Sequence, residues 1–208
     1  MALTSEELTR GKAHFSDQTS RFAREGYERL GAPEFILDQA AGLVGPVLDV
    51  GTGTGITARA LAARGLETVS VDLSPDDQQL AAFLTDDPAT AGRIHFEMAN
   101  ASHLTVPDGH FGAAVLIDVL HHLEAGGPVL RELQRVVRPG GVVLLADFTV
   151  EGFDMVSRVY AAQDLEHPEG PVTVDWARGF LSALGMLEER VTTGQSHRIA
   201  VFRRLAGI

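Results

Sequence analysis

The stretch VLDVGTGTG, residues 47–55, ends an apolar run in an acid, Asp49, and then sets Gly51, Gly53 and Gly55 alternately with Thr52 and Thr54. Glycines spaced in this way let a ligand approach the main chain where a side chain would block it. Two ligand classes fit such a turn. A dinucleotide would seat its pyrophosphate there, whereas a nucleoside without phosphate would use the space differently. The dinucleotide fingerprint G-x-G-x-x-G puts its third glycine where this chain has Ile56, and the glycine falls one residue early. Asp49 would repel a pyrophosphate but help to hold a cationic ammonium. Asp72 ends the next apolar run, TVSVD, and suits either ligand, because a carboxylate there accepts bonds from both ribose hydroxyls.

A second set of reactive side chains follows the apolar run FGAAVLI, in the order Ile117-Asp118-Val119-Leu120-His121-His122. An acid directly after a fully apolar strand sits where burial disfavours its charge. His121 comes three residues later, so a helical turn predicts that it lies beside Asp118 on one face. Such a pair holds an imidazole in the tautomer that accepts a proton. Asp147, after the run VVLLA, is an independent candidate for orienting an acceptor. The stretch beyond it, DFTVEGFDMVSRVYAAQDLEHPEG, offers Glu151, Tyr160, Glu166 and His167 as a polar and aromatic lining. The same residues could form a divalent-metal site, but no recognised metal-ligand spacing is present and no metal ligand is assigned.

The elements that must position these groups alternate along the chain. Continuous apolar runs at 47–50, 68–72, 93–99, 111–117 and 142–147 read as strands. Ile56–Arg64 reads as an amphipathic helix stopped by Gly65, and SPDDQQLAAFLTDD carries a serine cap, a first-turn proline and early acids. Val129, Leu130, Leu133, Val136 and Val137 mark one face of a helix expected to stop at Pro139-Gly140-Gly141, and EFILDQAAGLV reads as a helix running to Gly45-Pro46. Strands separated by helices imply a parallel sheet covered on both faces, with ligands at the carboxyl ends of the strands. MLEERVTT and HRIAVFRRL read as an antiparallel pair joined at Gly194-Gln195.

Composition bounds the function. The 208 residues suit one well-buried domain, here 1–208, with 1–40 as a helical lid, 41–150 as the cofactor-binding core, and 151–208 as acceptor-site insert and hairpin. A net charge of -11 argues against a nucleic-acid partner. The absence of cysteine removes disulfides, thiolate metal sites and a cysteine nucleophile. MALTSEELTRGKAHF lacks the apolar core of a signal peptide, and no stretch approaches a membrane span, so a cytoplasmic protein without a membrane partner is expected. The oligomeric state, monomer or homodimer, is open.

The spelling DVGTGTG resembles the first motif of class I S-adenosylmethionine-dependent methyltransferases. VSVDLSP is similar to the family's ribose-binding segment. ANASHLTVPDGHFGAAVLIDVLHHL is similar to its acidic-loop and fourth-strand segment, and LRELQRVVRPGGVVLLAD to its helix, turn and fifth strand. The resemblance spans roughly residues 40–150. It implies a seven-stranded Rossmann-like α/β sheet, mostly parallel with an antiparallel C-terminal strand and helices on both faces. It also implies S-adenosylmethionine as cofactor and methyl transfer to a small organic acceptor. The cofactor contacts it implies are Asp49, Gly51, Thr52, Gly53, Gly55, Asp72, Leu73 against adenine, Asn100, Ala101 and Ile117, with Asp118, His121 and Asp147 as catalytic candidates. Two positions depart from the pattern: Asn100 stands where an acid usually bonds the adenine amino group, and Gly112 where an aspartate usually opens the fourth strand. The adenine-amine segment N-P-P-[YF] is replaced by DVLHHL. A cofactor-binding protein without transferase activity and a nicotinamide oxidoreductase remain as rival readings.

Overall fold

The computed structural model describes residues 2–167 and 169–206. Seven strands form one sheet: β1 Val47–Val50, β2 Thr68–Asp72, β3 Ile94–Met98, β4 Phe111–Ile117, β5 Val137–Phe148, β6 Leu187–Gly194 and β7 His197–Arg203. Their order is β3-β2-β1-β4-β5-β7-β6. Only β7 runs antiparallel, to both of its neighbours. Every residue of β1 and of β4 is buried. That burial is why both read as unbroken apolar runs: helices cover the two faces, and side chains of either parity meet a core. One core contains Leu48, Val50, Leu116 and Leu145, and the other Val47, Val115, Leu144 and Ala146.

The sheet is built outward in two directions, β1 to β3 one way and β4 onward the other. A crevice therefore opens above the carboxyl ends of β1 and β4, where the order reverses. The loop after β1 enters α3 (Ile56–Ala63), and the loop after β2 enters α4 (Pro75–Leu84), whose cap is Ser74 accepting from the Asp77 amide. Helices α1 (Ser5–Arg24) and α7 (Val150–Ala161) close the crevice from above. Phe22, Tyr27 and Ala32 pack there on Met155, Val156 and Val159.

The structure corrects two element boundaries. Helix α6 ends at Val136 rather than at the proline–glycine turn, and β5 begins at Val137, paired with Phe111. Arg138 precedes a proline and is steered out of helical conformation, so the chain extends early. Helix α2 spans only Ala32–Leu37. The residues after it turn instead and bring the Val44 carbonyl against Gly112 so closely that any β-carbon at 112 would collide with it. The glycine that replaces the family's aspartate is thus required by the local main chain. Thr149 caps α7, a helix that the sequence pattern leaves unassigned.

Candidate active site

A cavity of about 580 Å³ lies at this crevice, bounded by the glycine loop, the ends of β2 and β4, residues 99–101, the 118–123 turn, the α1–α2 connection and α7. Its size is within the range of about 300–1,000 Å³ usual for small-ligand sites. The three loop glycines prove to serve three different neighbours. Gly51 (φ 83°) faces Val119, whose methyls occupy the place of a β-carbon. Gly55 (φ 75°) caps α3 and packs on Ala81, whose Cβ would stand 2.9 Å from an added methyl. Gly53 (φ 47°) has nothing within 4 Å of a β-carbon and lines the cavity. Only at Gly53 is the vacant space on the ligand side, and this fits a group lying directly on the loop.

Asp72 faces the same space. Its Oδ2 accepts from the Gly53 amide at 3.1 Å and its Oδ1 from the Ser74 amide at 3.0 Å. Each carboxylate oxygen keeps a further lone pair for a ligand hydroxyl. Leu73 is 69% exposed, as befits an apolar group awaiting a flat partner. Ala101 and Ile117 also line the cavity. Asn100 lines it too, but its carbonyl is taken by the backbone and hydroxyl of Ser102, at 2.9 and 2.8 Å. The carbonyl, which could have replaced the family's acid as acceptor for an adenine amine, is therefore already engaged, and the amide nitrogen is left as the group on offer.

Thr52 and Asp49 belong to a buried chain of bonds under the loop. Gln78 donates to the Thr52 hydroxyl at 2.9 Å, Thr52 and Ser70 hydroxyls lie 2.8 Å apart, and Ser70 donates to Asp49 at 2.7 Å. Thr52 lines the cavity, whereas Asp49 does not and is 1% exposed. The direct contact expected between Asp49 and a ligand ammonium is not formed by this geometry. Burial pushes the Asp49 carboxyl up to about 7, against the pull of the Ser70 hydroxyl and with a smaller contribution from Asp72. An unfolded aspartate titrates near 3.9. Between about pH 4 and 7 the folded state therefore holds a proton that the unfolded chain has lost, and stability falls as pH rises through that window. Asp49→Asn in the cofactor-free protein is expected to flatten this slope, by up to about 4 kcal/mol for three pKa units. His197, also raised in the folded state, tilts both proteins alike, so the difference between them isolates Asp49. Urea midpoints at pH 5 and pH 8 measure it, and parallel slopes in the two proteins would refute the assignment.

The structure re-pairs the acid–base candidates. Asp118 adopts a left-handed conformation (φ 59°), which breaks the helical geometry that would have set His121 beside it. Its Oδ1 instead lies 2.7 Å from Nε2 of His197, the first residue of β7. With 35% of its side chain exposed, Asp118 is not the deeply buried acid its position after β4 predicts. Burial pulls the His197 imidazole down, but the Asp118 charge and the bonds to Asp118 and the Gln195 carbonyl outweigh it and hold it above its ordinary value.

His121 pairs with Asp147 across the sheet end: Nδ1 lies 2.6 Å from Oδ1, and the His121 amide donates to Oδ2 at 2.9 Å. Both side chains are almost fully buried. Asp147 also accepts from the Phe148 amide, so it stands behind the imidazole with its oxygens committed and does not line the cavity. Its expected contact with an acceptor is corrected to a contact with His121. Nδ1–H donation to Asp147 leaves Nε2 of His121 as a bare lone pair, and that buried atom has no partner among the described residues.

Tyr160 and His167 line the cavity as the sequence predicts, and Glu151 and Glu166 do not. Tyr27, His122 and Phe148 also line it, one each from the N-terminal segment, the IDVLHH turn and the stretch after β5. Burial, and after it neighbouring imidazoles, hold His122 below its ordinary value and bring His167 down to about 4. Both rings are therefore neutral near pH 7.

The fold and this site define a class. Residues 48–145 match the family model described as "Methyltransferase domain". The chain is 34% identical over 133 residues to methyltransferase GfsG of Streptomyces halstedii, covering 64% of this chain and 45% of that protein. It is 30% identical over 156 residues to a 2-methyl-6-phytyl-1,4-hydroquinone methyltransferase of Synechocystis sp., covering 71% and 48% respectively. The chain thus spans less than half the length of each of these relatives. The crystal structure of the PH0226 protein from Pyrococcus horikoshii OT3 superposes with a TM-score of 0.73 at 18% identity, over 85% of this chain and 90% of that one, a likeness of fold. In its domain match and sheet order the chain is similar to the class I S-adenosylmethionine-dependent methyltransferases. Among the described residues, no helix is long and apolar enough to cross a membrane.

Proposed function

We propose that this chain transfers a methyl group from S-adenosylmethionine to a small organic acceptor held between the 118–122 turn, the α1–α2 connection and α7. The observation that carries the reading is the open space at Gly53 with Asp72 beside it, continuous with a cavity whose far wall is His121, Tyr160 and His167. Asp72 holds the ribose hydroxyls, Leu73 covers the adenine, and Ala101 and Ile117 border it. Asn100 donates its amide to a ring nitrogen. Thr52 and Asp49 keep the loop in shape from beneath. The cofactor supplies a methyl group already activated by its sulfonium, so alignment and exclusion of water by the protein provide much of the acceleration, roughly 7–11 kcal/mol. Phe22, Tyr27 and Val156 make the roof that excludes water.

An acceptor that loses a proton needs a basic centre, and the Nε2 lone pair of His121 is that centre. Asp147 is its positioning residue, and Asp118 holds the adjoining turn to β7 through His197. The net charge of -11 speaks against a nucleic-acid acceptor. The hydroquinone in the name of the cyanobacterial relative supports a small-molecule acceptor. Isothermal titration is expected to show S-adenosylhomocysteine binding with no comparable signal for NADH. Preference for NADH would overturn the reading. Binding of S-adenosylhomocysteine without its release from S-adenosylmethionine across a broad library of phenols, amines and carbon acids would favour a cofactor-binding protein instead.

A further inference from the structure

The acceptor end of the cavity gathers three imidazoles, two of them adjacent in sequence and the third 45 residues further on. His121 and His122 come from the 3-10 turn Leu120–His122, and His167 from the segment after α7. One ring nitrogen from each lies within 4.8 Å of the other two. The ring centroids of His121 are 4.0 Å from those of His122 and 5.0 Å from those of His167. Two ring nitrogens of these residues, Nε2 of His121 and Nδ1 of His167, are buried and have no hydrogen-bond partner among the described residues. A buried polar atom without a partner is costly, and two within one cluster call for a shared partner that accepts lone pairs. A cation is such a partner. Water would satisfy one of the two lone pairs with each of its protons, so it is the rival occupant.

The Asp147–His121 bond favours the cation. A carboxylate behind the far nitrogen of an imidazole is the arrangement that fixes a metal-binding histidine and makes it more basic. Asp147 makes this bond at 2.6 Å and clamps the main chain of the same residue. Phe153 meets the His121 ring edge-on and Tyr160 meets that of His167, so both rings are also held by packing. We propose that His121, His122 and His167 form the binding site of a single divalent first-row transition-metal ion of zinc, cobalt or iron type, oriented by Asp147. Three neutral nitrogen donors suit that class and not magnesium or calcium, which take oxygen ligands. Metal bonds of about 2.0–2.1 Å bring the nitrogens to roughly 3.4 Å from one another, so the cluster tightens on binding. His122 is exposed and His167 only partly buried, and these two rings supply the movement.

Three protein ligands leave a position open toward the cavity, as in metal sites that act on a substrate. An acceptor oxygen placed there loses its proton to water more readily. The His121 lone pair then serves the acceptor through the metal and not by direct contact. This use rests on the methyl-transfer reading, whereas the ligand set does not.

The test is titration of chelator-treated, full-length protein with zinc or cobalt chloride alone, followed by calorimetry and by the cobalt absorption bands. One equivalent is expected to bind. His167→Ala is expected to weaken binding at least tenfold, and Asp147→Asn by about 10–100-fold. His95→Ala, at an exposed histidine elsewhere, should leave it unchanged. His167→Gln serves as the second variant should the alanine protein unfold. Absence of a stoichiometric site, or binding that ignores both His167 substitutions, overturns the proposal. S-adenosylhomocysteine titrated into the same samples separates the two readings: cofactor binding without a metal site removes this inference alone.

Discussion

His121→Ala is expected to lower methyl-transfer turnover by about 10²–10⁴-fold, the usual contribution of a positioned acid–base group, while S-adenosylhomocysteine affinity changes little. The imidazole is the one group of the acceptor wall that is both almost fully buried and left with an unshared lone pair by its own partner. The geometry is enforced twice by Asp147, through the ring and through the main-chain amide. The glycine loop and Asp72, proposed above to hold the cofactor, are other residues, so the loss is expected to fall on kcat and not on cofactor binding. Asp147→Asn should follow the same direction: its amide oxygen keeps one bond but loses the charge that favours the Nδ1–H tautomer. Steady-state kinetics on an acceptor found by library screening, with cofactor affinity measured separately, checks both. Wild-type turnover in a folded His121→Ala protein would show the 118–122 turn to be scaffolding, with alignment alone doing the catalysis.

Asp72→Ala is expected to raise the dissociation constant for S-adenosylhomocysteine at least roughly tenfold, since two charge-assisted bonds to ribose are each worth about 1.5–3 kcal/mol. Part of the loss comes from the loop itself, because Asp72 also accepts from the Gly53 and Ser74 amides. Asp72→Asn divides the two contributions. It keeps the shape and one acceptor oxygen for the loop but offers the ribose a donor in place of the second acceptor. Calorimetry on both variants, with circular dichroism to establish folding, reads the division. An unchanged dissociation constant in folded Asp72→Ala would leave the acid as loop support only. Asn100→Ala, a neutral contact, should cost about 1 kcal/mol.

The sequence by itself determined the sheet and the glycine loop at its carboxyl edge. Apolar runs such as FGAAVLI, short and bounded by turn residues, read as strands buried on both faces, and the glycine register with Asp49 and Asp72 marked the loop after the first of them. Those signals are local: periodicity, caps and spacing within a dozen residues carry them. What the tertiary structure decided was who pairs with whom. Asp118 and His121 looked like partners because a helical turn was assumed between them, and one left-handed residue sent Asp118 to His197 on β7, 79 positions away. Asp147 became the partner of His121 because β4 and β5 run side by side in register, with Ile117 opposite Ala146. His167 joined His121 and His122 only because α7 folds back over the crevice. No spacing rule could show that triplet, since a cluster closed by the path of a helix leaves no period in the sequence. Asp49 was legible as the acid at the strand end, but its exclusion from the cavity and its raised pKa depend on how fully Ser70 and the sheet enclose it.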